Sequence, residues 1–158
     1  MYLHPCTEMS MKRTYQAKGF DELSTRELYD IMHLRQEVFV VEQDAAYLDA
    51  DRKDFSAIHI FTYEGEQLLA YARILPPGIS YVEASIGRVV TAQSVRRMGW
   101  GRPLMNKCLT ILEKEWGTST CRISAQSYLV PFYKEYGFEI CSEEYLEDGL
   151  PHFEMIRK

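Results

Sequence analysis

The stretch from Tyr81 to Trp116 constrains the fold more than any other part of this chain, because it sets a strand, a turn and a helix in fixed order. Tyr81 to Thr91 is apolar and continuous enough to be a central strand of a sheet. A basic loop, Val95-Arg96-Arg97-Met98-Gly99-Trp100-Gly101-Arg102, follows it. Trp100, Leu104, Met105, Cys108, Ile111, Leu112 and Trp116 then recur at helical spacing and describe one buried face. Pro103 fits that helix only in its first turn, where a missing amide hydrogen is no loss, so the helix starts beside the glycines.

The flanks supply the rest of a sheet. Lys12 to Lys18 is predicted as a first strand, and Ser24 or Thr25 as the N-cap of a helix turning Leu28, Ile31, Met32 and Val38 to the core. The apolar run Val38-Phe39-Val40-Val41-Glu42-Gln43 leads into an acidic loop with Asp44, Asp49, Asp51 and Asp54. Ala57 to Tyr63 and Gln67 to Leu75 are predicted strands joined by a hairpin at Glu64-Gly65-Glu66, and Pro76-Pro77-Gly78 ends the second. After the long helix come a strand at Cys121 to Ala125, a short helix at Pro131 to Tyr136, and strands at Phe138 to Cys141 and Pro151 to Ile156. Antiparallel strands followed by strand–helix–strand–helix–strand indicate a mixed α/β sandwich. The 158 residues are 46% hydrophobic and no Gly/Ser/Pro-rich linker divides them, so one domain is expected over 11–158, with an extension over 1–10.

A formal charge of −5, from 18 basic and 23 acidic residues, argues against a nucleic-acid partner. Arg96, Arg97 and Arg102 stand out against that background and suit a small anion. Cys6, Cys108, Cys121 and Cys141 are too scattered for a zinc cluster or redox motif, and Cys108 and Cys121 are expected as buried free thiols. The aspartates of the acidic loop lack the EF-hand glycine and closing glutamate, so no metal is predicted and a solvated loop is expected. No apolar run reaches the length of a membrane span and the N-terminus lacks a signal-peptide core; a cytoplasmic chain without a membrane partner is expected.

The glycine loop carries the chemistry. Gly99 and Gly101 let the backbone approach a ligand closely, and the first amides of the helix have no intrahelical partners. Those amides sit at the positive end of the helix and suit an anionic group, while the arginines add donors shaped for phosphate. A phosphate-bearing cofactor is expected; a glycine pair that only makes a tight turn is the plainer alternative. The Gly-Lys-Ser/Thr ending of a triphosphate loop is absent, as is the third glycine of the dinucleotide fingerprint. Diphosphate binding without visible metal chemistry remains.

Arg96-Arg97-Met98-Gly99-Trp100-Gly101 resembles the Gln/Arg-x-x-Gly-x-Gly/Ala pyrophosphate loop of the GNAT acyl-CoA N-acyltransferases. Further on, Phe132-Tyr133 followed by Gly137-Phe138 resembles that family's second signature. Leu34-Arg35, Val38 to Gln43, Ala70-Tyr71-Ala72-Arg73, Ala125-Gln126 and Asp148-Gly149-Leu150-Pro151-His152 are similar to its ElaA-like branch, so the likeness runs from Leu28 to Met155. One residue departs: the family commonly has glycine after Arg96, where this chain has Arg97, a costly choice if φ there is positive.

The resemblance implies a single-domain α/β (α+β) fold: a largely antiparallel six- to seven-stranded sheet flanked by helices, with the strands of Val89 and Gln126 splayed apart. Acetyl-CoA would lie in that V. Val89, Val90 and Thr91 would meet its pantetheine arm, Gln126 would lie on the facing strand, and Arg96, Arg97, Met98, Gly99, Trp100, Gly101 and Arg102 would hold its pyrophosphate. The implied reaction moves acetyl directly to a primary amine on a small molecule or peptide, in a monomer or homodimer. Tyr133 would protonate the leaving sulfur; at reference pKa values of about 10 and 8.5 that transfer is uphill by roughly 2 kcal/mol. Tyr133 as a packing aromatic is the plain alternative. Glu42 is the first candidate base, its pKa raised by partial burial, or else it is a carboxylate paired with Arg35 or Arg73. His152 is the second candidate, or a surface residue, and His59 is expected to be structural. Two other functions fit the same residues: a non-catalytic acyl-CoA-binding or sensor module, and acyl transfer in the manner of homoserine-lactone synthases.

Overall fold

The predicted Glu64-Gly65-Glu66 hairpin joins β2 (Ile58–Glu64) to β3 (Gln67–Leu75), with Gly65 at φ +60 where only glycine turns freely. This computed structural model describes residues 13–158; the expected extension over 1–10, and Cys6 with it, lies outside the described residues. The other strands are β1 (Gln16–Gly19), β4 (Ala84–Thr91), β5 (Cys121–Gln126), β6 (Glu139–Ile140), β7 (Tyr145–Glu147) and β8 (Leu150–Arg157). Among the described residues the strands form one eight-stranded sheet ordered β1-β2-β3-β4-β5-β8-β6, with β7 also on β8. Every pairing is antiparallel except β4 with β5. The strand beyond the seven predicted is the three-residue β7, and β4 starts later than Tyr81 because residues 79–83 bend.

β3 is apolar on both faces because both are covered. Ala70, Ala72 and Ile74 pack in one core with Leu104, Met105, Cys108 and Leu112 of α2 (Gly101–Trp116). Phe61 and Tyr71 pack in a second core with Ile31 and Leu34 of α1 (Thr25–Arg35). α1 opens with Ser24 Oγ accepting from the Glu27 amide at 3.0 Å and Glu27 accepting from the Ser24 amide at 2.8 Å, a reciprocal cap. It does not stop at Arg35. Residues Gln36–Glu42 widen into a π-helix, with the Gln43 amide donating to Val38 O at 3.2 Å. Among the described residues no helix is long and apolar enough to cross a membrane.

Asp49, Asp51 and Asp54 are not the solvated loop expected. Arg35, fully buried, donates to Asp49 at 2.7 Å and Asp54 at 2.6 Å; Arg73 donates to Asp51 at 2.5 Å and Asp54 at 3.0 Å; Arg88 donates to Asp49 at 2.7 Å. The three arginines come from α1, β3 and β4, so proximity along the chain gave no hint of them. His59 joins the same region as a structural residue. Its Nε2 donates to Asp54 O at 3.0 Å, which leaves Nδ1 to accept from the Tyr71 hydroxyl at 2.8 Å. Cys108 and Cys121 are buried free thiols.

Candidate functional site

Two features of β4 open the sheet. β4 and β5 pair only at Ala84 with Cys121 and Ser85 with Arg122; beyond that β4 keeps β3 and β5 keeps β8. In the β3–β4 ladder Tyr71 opposes Val90 and Arg73 opposes Gly87, so β4 carries an extra residue, and Arg88 sits there at φ +52. Such a bulge bends its strand and re-aims side chains. A cavity of about 710 Å³ fills the resulting V. Val89, Val90 and Thr91 line one wall; Ile123, Ser124 and Gln126 line the other. Gln126 Nε2 also donates to Gln43 Oε1 at 3.3 Å, linking β5 to the end of the π-helix.

The glycine loop closes one end. Arg13 donates to the carbonyls of Met98 at 2.8 Å and Gly99 at 2.6 Å while its guanidinium covers the Trp100 ring at 4.4 Å, and Tyr15 donates to Trp100 O at 2.9 Å. In each peptide plane the following amide points opposite to the carbonyl. The amides of Gly99, Trp100 and Gly101 are thereby turned away from Arg13 and Tyr15, and those three residues line the cavity. Arg97 at φ +63 and Gly99 at φ +76 give the loop the alternating hand of an anion-binding nest. Arg13 and Tyr15 were not read from the sequence; they lie 85 or more positions from their partners. Met98 is not brought to the cavity: its side chain is exposed and its amide donates to Val95 O at 3.3 Å.

Arg97 therefore sits in the left-handed region that the departure from glycine put at issue. A non-glycine residue there costs about 1–2 kcal/mol. Arg97→Gly is expected to raise the unfolding free energy by about 1 kcal/mol in denaturant titrations; a lower value would mean that the arginine side chain stabilises the loop.

The remaining loop arginines carry counter-charges. Both Nη atoms of Arg96 donate to Glu42, one at 2.6 Å, and Arg102 is likewise paired with Glu135. This corrects the reading of Glu42. Its partner is Arg96, not Arg35 or Arg73, and the hydrogen bonds from Arg96 hold its carboxyl below the usual range instead of burial raising it. In this state Glu42 is a poor proton acceptor.

Tyr133, on α3 (Val130–Lys134), lines the cavity and is otherwise packed edge-on against Phe132 and Phe138 at 5.2 and 6.0 Å between ring centroids. Burial, with the neighbouring Cys108 and Tyr128, pushes its phenol above the ordinary value. The hydroxyl thus stays protonated, and the lowering that would ease transfer to sulfur is absent.

His152 is buried, not a surface residue. Its Nδ1 lies 2.7 Å from Leu150 O, an acceptor only, so Nδ1 carries the hydrogen and Nε2 is the nitrogen that can take up or release a proton. That Nε2 is 3.3 Å from Glu147 Oε2, which also accepts from Ser124 Oγ at 3.2 Å. Tyr145 stacks on His152 at 6.0 Å and bonds Ser124. The β7–β8 hairpin that builds this cluster turns at Asp148 and Gly149, φ +49 and +79. Asp-Gly with both φ positive is a strong hairpin signal, and it was the available clue to β7. Arg88 also lines the cavity and was not read as a site residue.

With this geometry in place, known proteins supply the frame. The family described as "Acetyltransferase (GNAT) domain" matches residues 21–158. A UPF0039 protein of Schizosaccharomyces pombe is 44% identical over 87% of this chain and 92% of its own. Protein ElaA of Escherichia coli is 38% identical over 91% of this chain and 95% of its own. Its crystal structure superposes with a TM-score of 0.85 over 92% of this chain and 99% of that one. The crystal structure of an acyl-CoA N-acyltransferase from Pseudomonas aeruginosa, 38% identical, gives a TM-score of 0.88 over the same shares, 92% and 99%. Matched across nearly its whole length in both sequence and fold, the chain belongs to the GNAT acetyltransferase family, a family of acyltransferases, and within it to the ElaA-like branch.

Proposed function

We propose that this protein transfers the acetyl group of acetyl-CoA directly to a primary amine. The observation that carries this reading is the V between β4 and β5 with an anion-binding loop at one end and Tyr133 and His152 along its walls. The pyrophosphate would sit on the amides of Gly99, Trp100 and Gly101, with Arg96, Arg97 and Arg102 around it. The pantetheine would run beside Val89, Val90 and Thr91, whose strand edge β5 leaves unpaired, facing Gln126.

The neutral amine attacks the thioester carbonyl, forming the C–N bond. A β4 amide near Val89 or Val90 stabilises the oxyanion. As the C–S bond breaks, Tyr133 donates its proton to the departing sulfur. Because burial raises the phenol pKa, full ionisation before C–S cleavage is more uphill than the reference values suggest, so transfer is concerted with departure. The nitrogen's surplus proton goes to Nε2 of His152, directly or through water. Glu147 then stabilises the imidazolium, and Leu150 O fixes the tautomer throughout. Glu42 becomes a second acceptor only if Arg96 leaves it for the pyrophosphate.

The test is release of coenzyme A from acetyl-CoA across a panel of amines, with the N-acetyl product identified by mass. Amine-dependent release with a matching acetylated product is expected. Coenzyme binding with no turnover on any amine would instead mark a binding module.

A further inference from the structure

The cavity lining carries charge that the donor, placed as above, does not use. Arg88 is part of that lining, held at φ +52 by the β4 bulge, and a non-glycine residue in that conformation persists only where its surroundings enforce it. Asp49 and Asp51 occupy part of its guanidinium: Nε donates to Asp49 Oδ1 at 2.7 Å, while Nη2 is 3.4 Å from Asp49 O and 3.5 Å from Asp51 Oδ2. Nη1 has no partner among the described residues. The Tyr47 ring lies 5.8 Å from this guanidinium and donates its hydroxyl to Asp49 at 3.2 Å.

The β7–β8 hairpin brings further carboxylates to the cavity that Arg88 lines. Glu147 and Asp148 both line the cavity, next to His152. Tyr47, which lies against Arg88, lines the same cavity as Glu147 and Asp148. The acceptor end thus presents a guanidinium edge on one side and carboxylates with an imidazole on the other. A simple alkylamine or polyamine uses only the second side. A molecule carrying an amine and a carboxylate a few bonds apart uses both, and guanidinium geometry suits the carboxylate.

Resting on the proposed N-acyl transfer, we infer that the acceptor is zwitterionic, an α-amino acid or close analogue, with its carboxylate on Arg88 and its amine delivered between Glu147 and His152. The test uses the unmodified protein with acetyl-CoA and the common amino acids, each compared with its α-carboxamide and its decarboxylated amine. For the best amino acid, kcat/KM should exceed that of either analogue by on the order of tenfold or more, since a site built to hold a polar group discriminates against its loss. Arg88→Gln should shrink that ratio, through KM for the acid. Amides or plain amines turned over as well as the acids, or an Arg88→Gln loss shared equally by acid and amide, would overturn the inference while leaving N-acyl transfer standing. No acylation of any amine would overturn both.

Discussion

Tyr133→Phe is expected to lower kcat for amine acetylation by about two to four orders of magnitude, the usual contribution of a positioned general acid. The substitution keeps the aromatic ring, which packs between Phe132 and Phe138, and removes only the hydroxyl. Stability and coenzyme affinity should therefore stay near wild type, and the whole effect should fall on turnover. The raised phenol pKa bears on the form of the result: Tyr133 is fully protonated across the neutral range, so its loss should be equally severe from about pH 6 to pH 9. Steady-state kinetics at several pH values check this. Unchanged kcat would leave Tyr133 as a packing aromatic and assign protonation of the sulfur to solvent.

The second large effect concerns folding. Arg35→Met is expected to destabilise the protein by about 3–5 kcal/mol, because removing one partner of a buried ion pair leaves charge uncompensated. Asp49 and Asp54 would keep only Arg88 and Arg73 between them. That loss is a large part of the 5–15 kcal/mol typical of a domain, so a steep fall in thermal midpoint is expected. By contrast Arg96→Gln, which breaks a solvent-exposed pair, should change stability by about 1 kcal/mol or less. A shift for Arg35→Met as small as that for Arg96→Gln would mean the buried network contributes little.

The same network fixes the acid response. Burial alone would raise the pKa of Asp54 and Asp51, but hydrogen bonds and charge from Arg35 and Arg73 outweigh it and lower both. A carboxylate depressed in the folded state contributes stability that is complete above its unfolded pKa of about 4 and lost as pH falls through the lower folded value. Denaturant unfolding should therefore give constant stability from this source above about pH 5 and a progressive loss below about pH 4. Asp54→Asn should flatten that acid limb.

What could be read in the sequence was what is local. The period of α2, the uninterrupted β3 and the glycine loop announced themselves because each is written in neighbouring residues, and the Ser24 cap was visible in the same way. Partners were not visible. Glu42 meets Arg96 across 54 positions and Arg13 reaches Gly99 across 86, so the charge of each residue was known and its neutralising contact was not. The acidic loop shows the consequence: Asp49 and Asp54, at surface-like spacing, are buried because arginines from three separate elements converge on the loop. β7 is too short for an alternating pattern, yet its Asp148-Gly149 turn positions Glu147 against His152, the pair that the proposed proton transfer uses.

Acyl-CoA in the V between β4 and β5 is tested most directly by thermal unfolding with acetyl-CoA, free coenzyme A or ATP. At about a hundredfold excess over the dissociation constant, a ligand that binds only the folded state adds about 2.7 kcal/mol of stability. Both coenzymes should raise the midpoint clearly, ATP should not, and Gly99→Val, which forces a β-branched residue to φ +76, should abolish the rise. No shift with either coenzyme, or an equal shift in the Gly99→Val protein, would contradict the account.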